Sequence, residues 1–144
     1  MMYSEFLIDG QLVKGLGAED VIIAPADERQ LAVIAEATAA QLDQAVDAAE
    51  RAFPGWATTP PRQRASLLLK LADAIERDAE AIGTLESHNC GKPLQKAIGH
   101  EVPAVADVFR FFAGACRSLS GSAAGEYVAG RTSMIRRDPL GVVG

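Results

Sequence analysis

The chain closes on Asp138-Pro139-Leu140-Gly141-Val142-Val143-Gly144, a turn followed by the beginning of an apolar run. Such a run has the composition of a strand entering a parallel sheet covered on both faces. A buried strand needs partners on either side, because every backbone donor and acceptor must be paired. No residues follow to build that sheet, so the chain is expected to be the front part of a larger α/β protein.

The opening third carries strand signals. Phe6-Leu7-Ile8 runs into Asp9-Gly10, a hairpin dipeptide, and Gln11-Leu12-Val13 follows. Val21-Ile22-Ile23-Ala24-Pro25 is a second apolar run, ended by proline, and Leu31-Ala32-Val33-Ile34-Ala35 is a third. Together they predict a small β layer over residues 5 to 37.

Helices then take over. Thr38 and Gln41 have capping-box spacing, and Leu42, Val46, Ala49, Phe53 and Trp56 give the first helix an apolar face, with Pro54-Gly55 expected to end it. Thr59 can cap a second helix that has Pro60 at its first position. Leu68, Ala72, Ile75, Ala79, Ile82 and Leu85 form its buried stripe, with a break near Asp78 and a stop at Gly91 and Pro93. A third helical region runs from about Leu94 to Leu119, with Val105, Val108, Phe109, Phe112, Cys116 and Leu119 inward. Pro103 cannot donate to residue 99 and predicts a kink there. A linker after Ser118-Leu119-Ser120-Gly121-Ser122 leads to two strands, at 126–129 and 132–138.

Composition excludes several classes. A net charge of −5 lacks the basic face of a nucleic-acid binder. Cys90 and Cys116 form no CxxC pair, and with two histidines a zinc site is not expected. Two scattered thiols fit a reducing compartment, where both read as small core or helix-end residues. Met1-Met2-Tyr3-Ser4-Glu5 has no basic segment ahead of an apolar one, and no stretch is long enough to cross a bilayer. A cytoplasmic, acidic protein without nucleic-acid or membrane partners is expected.

Taken together, Phe6-Leu7-Ile8-Asp9-Gly10, Ala24-Pro25-Ala26-Asp27, Leu85-Glu86-Ser87-His88-Asn89-Cys90-Gly91-Lys92-Pro93, Phe111-Phe112-Ala113-Gly114 and Arg136-Arg137-Asp138-Pro139-Leu140-Gly141-Val142-Val143 resemble, in this order, the aldehyde dehydrogenase superfamily. Ala24-Pro25 departs from the usual Asn-Pro, and Glu28 stands where the family often has Gly. Within the superfamily, the runs from Asn89 to Ala115 and from Ala124 to Pro139 look closest to the gamma-aminobutyraldehyde dehydrogenases of putrescine degradation.

This resemblance implies an α/β fold: the N-terminal part of the aldehyde dehydrogenase architecture. Residues 1–119 would be the β layer and the helices flanking the cofactor domain. Residues 120–139 would be a ribbon of the oligomerisation layer, and 140–144 the start of a Rossmann strand. It implies NAD-dependent oxidation of 4-aminobutanal to 4-aminobutanoate, or of betaine aldehyde, by a homodimer or homotetramer. The nucleophilic Cys, the oxyanion Asn and the water-activating Glu of the family fall outside this segment, which alone is expected to be inactive. A different class of reading is a non-catalytic interaction module.

Four further implications concern particular residues. The start of the third helical region would line the aldehyde tunnel. There Glu101, then Asp107, which keeps one helix face with His100 and Ala104, would receive the ω-ammonium of an aminoaldehyde. The backbone carbonyls of Ile22 and Ile23, with the amide oxygen of Asn89, would hold Na⁺ or K⁺. Asn89 reads equally as a cap at the helix end. Arg136 and Arg137 would edge a subunit interface.

Overall fold

The computed structural model describes residues 4–144, apart from the side chains of Ala123 and Ala124. Met1 to Tyr3, part of the segment inspected for a signal, lie outside the described residues.

β1 (Glu5–Ile8) and β2 (Gln11–Lys14) pair antiparallel with Glu5 opposite Lys14 and Ile8 opposite Gln11. Asp9 and Gly10 between them have φ of 52° and 75°. Two positive φ values give the turn whose twist matches that of the flanking strands, which is why Asp-Gly works here. β3 (Glu19–Ile23) and β4 (Gln30–Ala35) form a second antiparallel pair, irregular at Ile22/Ile23. Their turn is closed by Ala24 N–H donating to the Arg29 carbonyl at 2.9 Å and Glu28 N–H to the Ala24 carbonyl at 2.9 Å. Glu28 sits at φ 59°, a left-handed conformation that costs any residue but glycine.

The expected β layer is therefore two separate ribbons. The connection explains the split. Gly17 N–H donates to the Glu36 carbonyl and Glu36 N–H to the Ala18 carbonyl, both at 2.8 Å. A Cβ at Gly15 would fall 2.0 Å from the Ala35 carbonyl oxygen. The linker thus crosses directly over the end of β4 and uses the polar groups that a continuous ladder would need.

α1 (Ala39–Ala57) starts with the predicted capping box: Gln41 N–H donates to Thr38 Oγ1 at 3.3 Å and Thr38 N–H to Gln41 Oε1 at 3.2 Å. It does not stop at Pro54-Gly55 but runs through them to Ala57. A proline in the last turn forfeits one bond, and the carbonyls freed nearby find hydroxyls. Thr58 Oγ1 donates to Pro54 and Gly55 oxygens at 3.1 Å, and Thr59 Oγ1 to Gly55 at 3.0 Å. Thr59 so finishes α1 instead of capping α2 (Pro61–Arg77), whose N-cap is Pro60 and whose first residue is Pro61.

The break at Asp78 is present, but its carboxylate turns to Arg77 at 3.0 Å and caps nothing. α3 (Ala79–Cys90) ends at Gly91, left-handed at φ 70°. After Pro93, α4 (Leu94–Lys96) leads into a π-helical turn (Ala97–Glu101) and α5 (Val102–Ser118). Val102 N–H donates to the Ala97 carbonyl five residues back. The expected kink at Pro103 thus takes the form of a widened turn just before the residue that cannot donate.

The core between the helices is built of small residues. Ala65 and Ala72 on α2, Ala97, and Val102, Ala106 and Ala113 on α5 are buried. The inward face of α5 is rotated from the expected one. Phe109 and Cys116 are half-buried, whereas Val105, Val108, Phe112 and Leu119 are exposed. On α1 the buried residues are Gln41 and Ala48, while Leu42, Val46 and Trp56 are exposed. On α2 and α3 the predicted stripe holds better: Ala72 is buried, Leu68, Ile75, Ala79 and Leu85 are half-buried, and Ile82 is exposed. Alanine stripes let helix axes approach closely, so the bulkier stripes beside them stay outside the contact.

β5 (Ser122–Val128) and β6 (Arg131–Ile135) form the third ribbon, turning at Gly130 with φ 73°. β5 takes in the expected linker, and β6 ends before Arg136 and Arg137, which lie beyond it. Residues 136–144 form no strand among the described residues, because Leu140 to Val143 find no ladder partner there. Among the described residues no helix is long and apolar enough to cross a membrane.

Candidate functional site

The most organised polar cluster lies where α3 hands over to α5. Gly91 reverses the chain, and Ser87 Oγ donates to the Lys92 carbonyl at 2.6 Å, pinning the residue that follows. Lys92 Nζ then bridges two carboxylates: Glu86 Oε1 on α3 at 2.7 Å and Glu101 Oε2 at the end of the π-helical turn at 2.8 Å. The hydrogen bond it donates to Glu101, then that to Glu86, holds the Lys92 ammonium well above the usual lysine range. Lys92 in turn draws the Glu86 carboxyl below its ordinary value. All three side chains are between 39% and 45% exposed, so the bridge remains partly screened by water.

Sequence reasoning singled out Glu101 but missed its partners. A signal existed: a lysine between a left-handed Gly and a Pro sits at a helix-to-helix corner, within reach of acids on both helices. Asp107 is exposed on α5 and has no ion-pair partner among the described residues. His100 in the π-helical turn and Ala104 on α5 are exposed as well.

Ile22 is half-buried and Ile23 exposed at the end of β3. Asn89 is exposed, and among the described residues its amide reaches only Cys90 Sγ at 3.9 Å. The cap at this helix end is Gly91, whose N–H donates to the Ser87 carbonyl at 2.9 Å, and not Asn89. The turn after β3 and the end of α3 do meet: a Cβ on Gly91 would lie 3.0 Å from Pro25 Cγ. Among the described residues no three His, Cys, Asp or Glu side chains converge as a metal site.

Cys90 closes α3 and is exposed, which corrects the buried reading while keeping the helix-end one. Cys116 is half-buried and borders a groove of about 1000 Å³ formed by Trp56, Arg64, Leu119, Met134, Ile135 and Arg137, among others.

A dinucleotide would need free backbone donors for its phosphates. The helix starts here offer few. α1 is closed by its own capping box, α2 begins with two prolines, α3 follows α2 directly at Asp78, and α5 continues from the π-helical turn. These helix starts by themselves give the phosphates of NAD little to hold.

The family model described as the aldehyde dehydrogenase family matches residues 16–144. An acetaldehyde dehydrogenase of Pseudomonas aeruginosa is 36% identical over 121 residues, covering 84% of this chain and 24% of that protein. A fluoroacetaldehyde dehydrogenase of Streptantibioticus cattleyicolor is 37% identical, covering 83% of this chain and 24% of that protein. The crystal structure of PnpE in complex with nicotinamide adenine dinucleotide superposes with a TM-score of 0.89 at 38% identity, over 96% of this chain and 28% of that one. The chain thus spans about a quarter of the length of the curated relatives it matches.

Proposed function

The chain belongs to the aldehyde dehydrogenase family, and we propose that it serves, within a longer polypeptide, as the N-terminal part of an NAD-dependent enzyme oxidising an aldehyde to its acid. The match over residues 16–144 carries this reading. NAD and the catalytic Cys, Glu and oxyanion Asn are assigned to residues beyond this segment. In this reading β5 and β6 belong to an oligomerisation ribbon of a homodimer or homotetramer, and residues 1–119 flank the cofactor domain. The Ile22 and Ile23 carbonyls with Asn89 are the proposed Na⁺ or K⁺ position, near the junction of Pro25 and Gly91. The reducing interior of the cell is the proposed setting.

Two substrate readings differ in charge. The run from Asn89 to Ala115 favours 4-aminobutanal, with Asp107 as an acid open to its ammonium. The Lys92–Glu101 bond at 2.8 Å favours an uncharged aldehyde, in keeping with relatives that act on acetaldehyde and fluoroacetaldehyde. The test is NADH formation by the complete polypeptide with butanal and 4-aminobutanal, which differ only at the far end. Turnover of neither with NAD or NADP would end the dehydrogenase reading. The 144-residue chain assayed alone should form no NADH.

A further inference from the structure

We propose that the stripe of Val105, Val108, Phe112 and Leu119 on α5 is a docking face closed by the remainder of the same polypeptide, and that this cover, more than the alanine seam, keeps the helices folded. The inference rests on the reading above that this segment belongs to a longer chain, and it names the surface on which that chain closes.

The four side chains fall at spacings of three, four and seven residues, along one side of a helix, and are between 49% and 65% exposed. The buried residues of the same helix, Val102, Ala106 and Ala113, follow a separate line, on the side that meets α2. The stripe is therefore a second face of α5, beside the one that the seam uses. Single exposed apolar residues are ordinary on a protein surface, but a continuous row of large ones marks an interaction site.

The size of the open surface decides what occupant fits. The chain exposes 10969 Å². A compact monomer of this size exposes about 7,100 Å², so the excess is roughly 3,800 Å². A typical stable interface takes about 800 Å² from each partner, and a large obligate dimer takes about 2,500 Å². The β5–β6 ribbon, exposed all along β6, holds part of the excess. Even so, one copy of this chain seated on one face is too small a cover. The segment spans about a quarter of its curated relatives, so most of such a polypeptide lies outside it. That remainder is a body of the right size, and its covalent tether gives it a high effective concentration at the stripe.

The composition of the core points the same way. Among the described residues no large side chain is fully buried, and the buried apolar residues are alanines and Val102. An alanine removes one methyl from water, whereas a leucine or phenylalanine removes several times that area at a similar cost in backbone order. Covering Val105, Val108, Phe112 and Leu119 thus adds more apolar burial to α5 than the seam itself provides.

Alkylation of a cysteine placed in the stripe reads the cover directly. In the complete polypeptide, Val108→Cys should react with iodoacetamide at least about tenfold more slowly than in urea, because the thiol is reached only when the docked parts open. Phe112→Cys should be slowed likewise, and it decides the matter if Val108→Cys fails to fold. Peptide mass spectrometry separates these positions from Cys90 and Cys116. In the 144-residue chain on its own, the same thiols should react at close to the urea rate. A stripe thiol as reactive in the complete polypeptide as in urea would overturn the proposal and leave the face to a separate partner. Equal protection in the 144-residue chain would overturn it too, by giving the face to a second copy. The readout needs no turnover. A complete polypeptide that shields Val108→Cys yet oxidises no aldehyde would count against the dehydrogenase reading and support this one.

Discussion

Arg110 on α5 grips Glu76 on α2 with two parallel bonds of 2.6 Å each, and its NH2 also reaches Asp73 at 3.1 Å. Arg110 is thus the polar fastening beside the alanine seam that joins these two helices. The Arg110 hydrogen bond, ahead of its charge, holds the Glu76 carboxyl below its ordinary value of 4.5. A depressed carboxylate stabilises the fold above its unfolded pKa and loses that contribution as the pH falls through the folded one. Arg110→Ala should therefore lower Tm near pH 7 by roughly 2–4 °C. The gap between wild type and variant should close below about pH 4 and shrink at about 1 M salt. Thermal unfolding at several pH values checks this, and a gap that persists in acid would show that Arg110 acts through its apolar stem.

Gln41 does more than complete a capping box. Its side chain is 5% exposed, its Nε2 donates to the Lys14 carbonyl at 2.8 Å, and its Oε1 accepts from Leu16 N–H at 2.9 Å. One amide so fastens the exit of β2 to the start of α1. Gln41→Ala strands both backbone groups and should cost about 2–3 kcal/mol in denaturant unfolding. A cost below about 0.5 kcal/mol would mean that water replaces the amide.

Two helical glycines should respond in opposite directions. A Cβ on Gly83 would meet Ile98 Cγ1 at 2.6 Å and Ile98 N at 3.0 Å, whereas one on Gly114 meets nothing within 4 Å. Gly83→Ala should destabilise by about 1–3 kcal/mol, and Gly114→Ala should stabilise by roughly 0.5–1 kcal/mol. Equal effects in urea titrations would contradict the close crossing of α3 and the π-helical turn.

Glu28 departs from the family's frequent glycine and occupies φ 59°. Glu28→Gly should stabilise the β3–β4 turn by about 0.5–1 kcal/mol, the left-handed penalty offset in part by glycine's greater unfolded freedom. A loss of stability would mean that the entropic cost prevails.

Local rules were legible wherever two or three neighbouring residues decide the outcome. Asp9-Gly10 set a hairpin, Thr38 and Gln41 set a helix start, Gly91 set a stop, and Pro103 announced an irregular turn. Proline at the end of α1 misled, because the hydroxyls of Thr58 and Thr59, and not the ring itself, decided where the helix closed.

The sequence by itself determined the kind and order of the elements, from ribbons through helices to a last ribbon, and the family to which the chain belongs. The elements follow from backbone sterics, capping chemistry and periodicity, which act over a few residues; the family follows only from the resemblance carried by short motifs in order. Tertiary structure alone decided which stripe of each helix is buried. Periodicity offers neighbouring apolar stripes, and only the closeness of α2 to α5 chose the alanines over Val105, Val108 and Phe112. It also decided the state of Glu101. In the sequence that residue is an acid awaiting a cation; in the folded chain the left-handed corner at Gly91 brings Lys92 to it first.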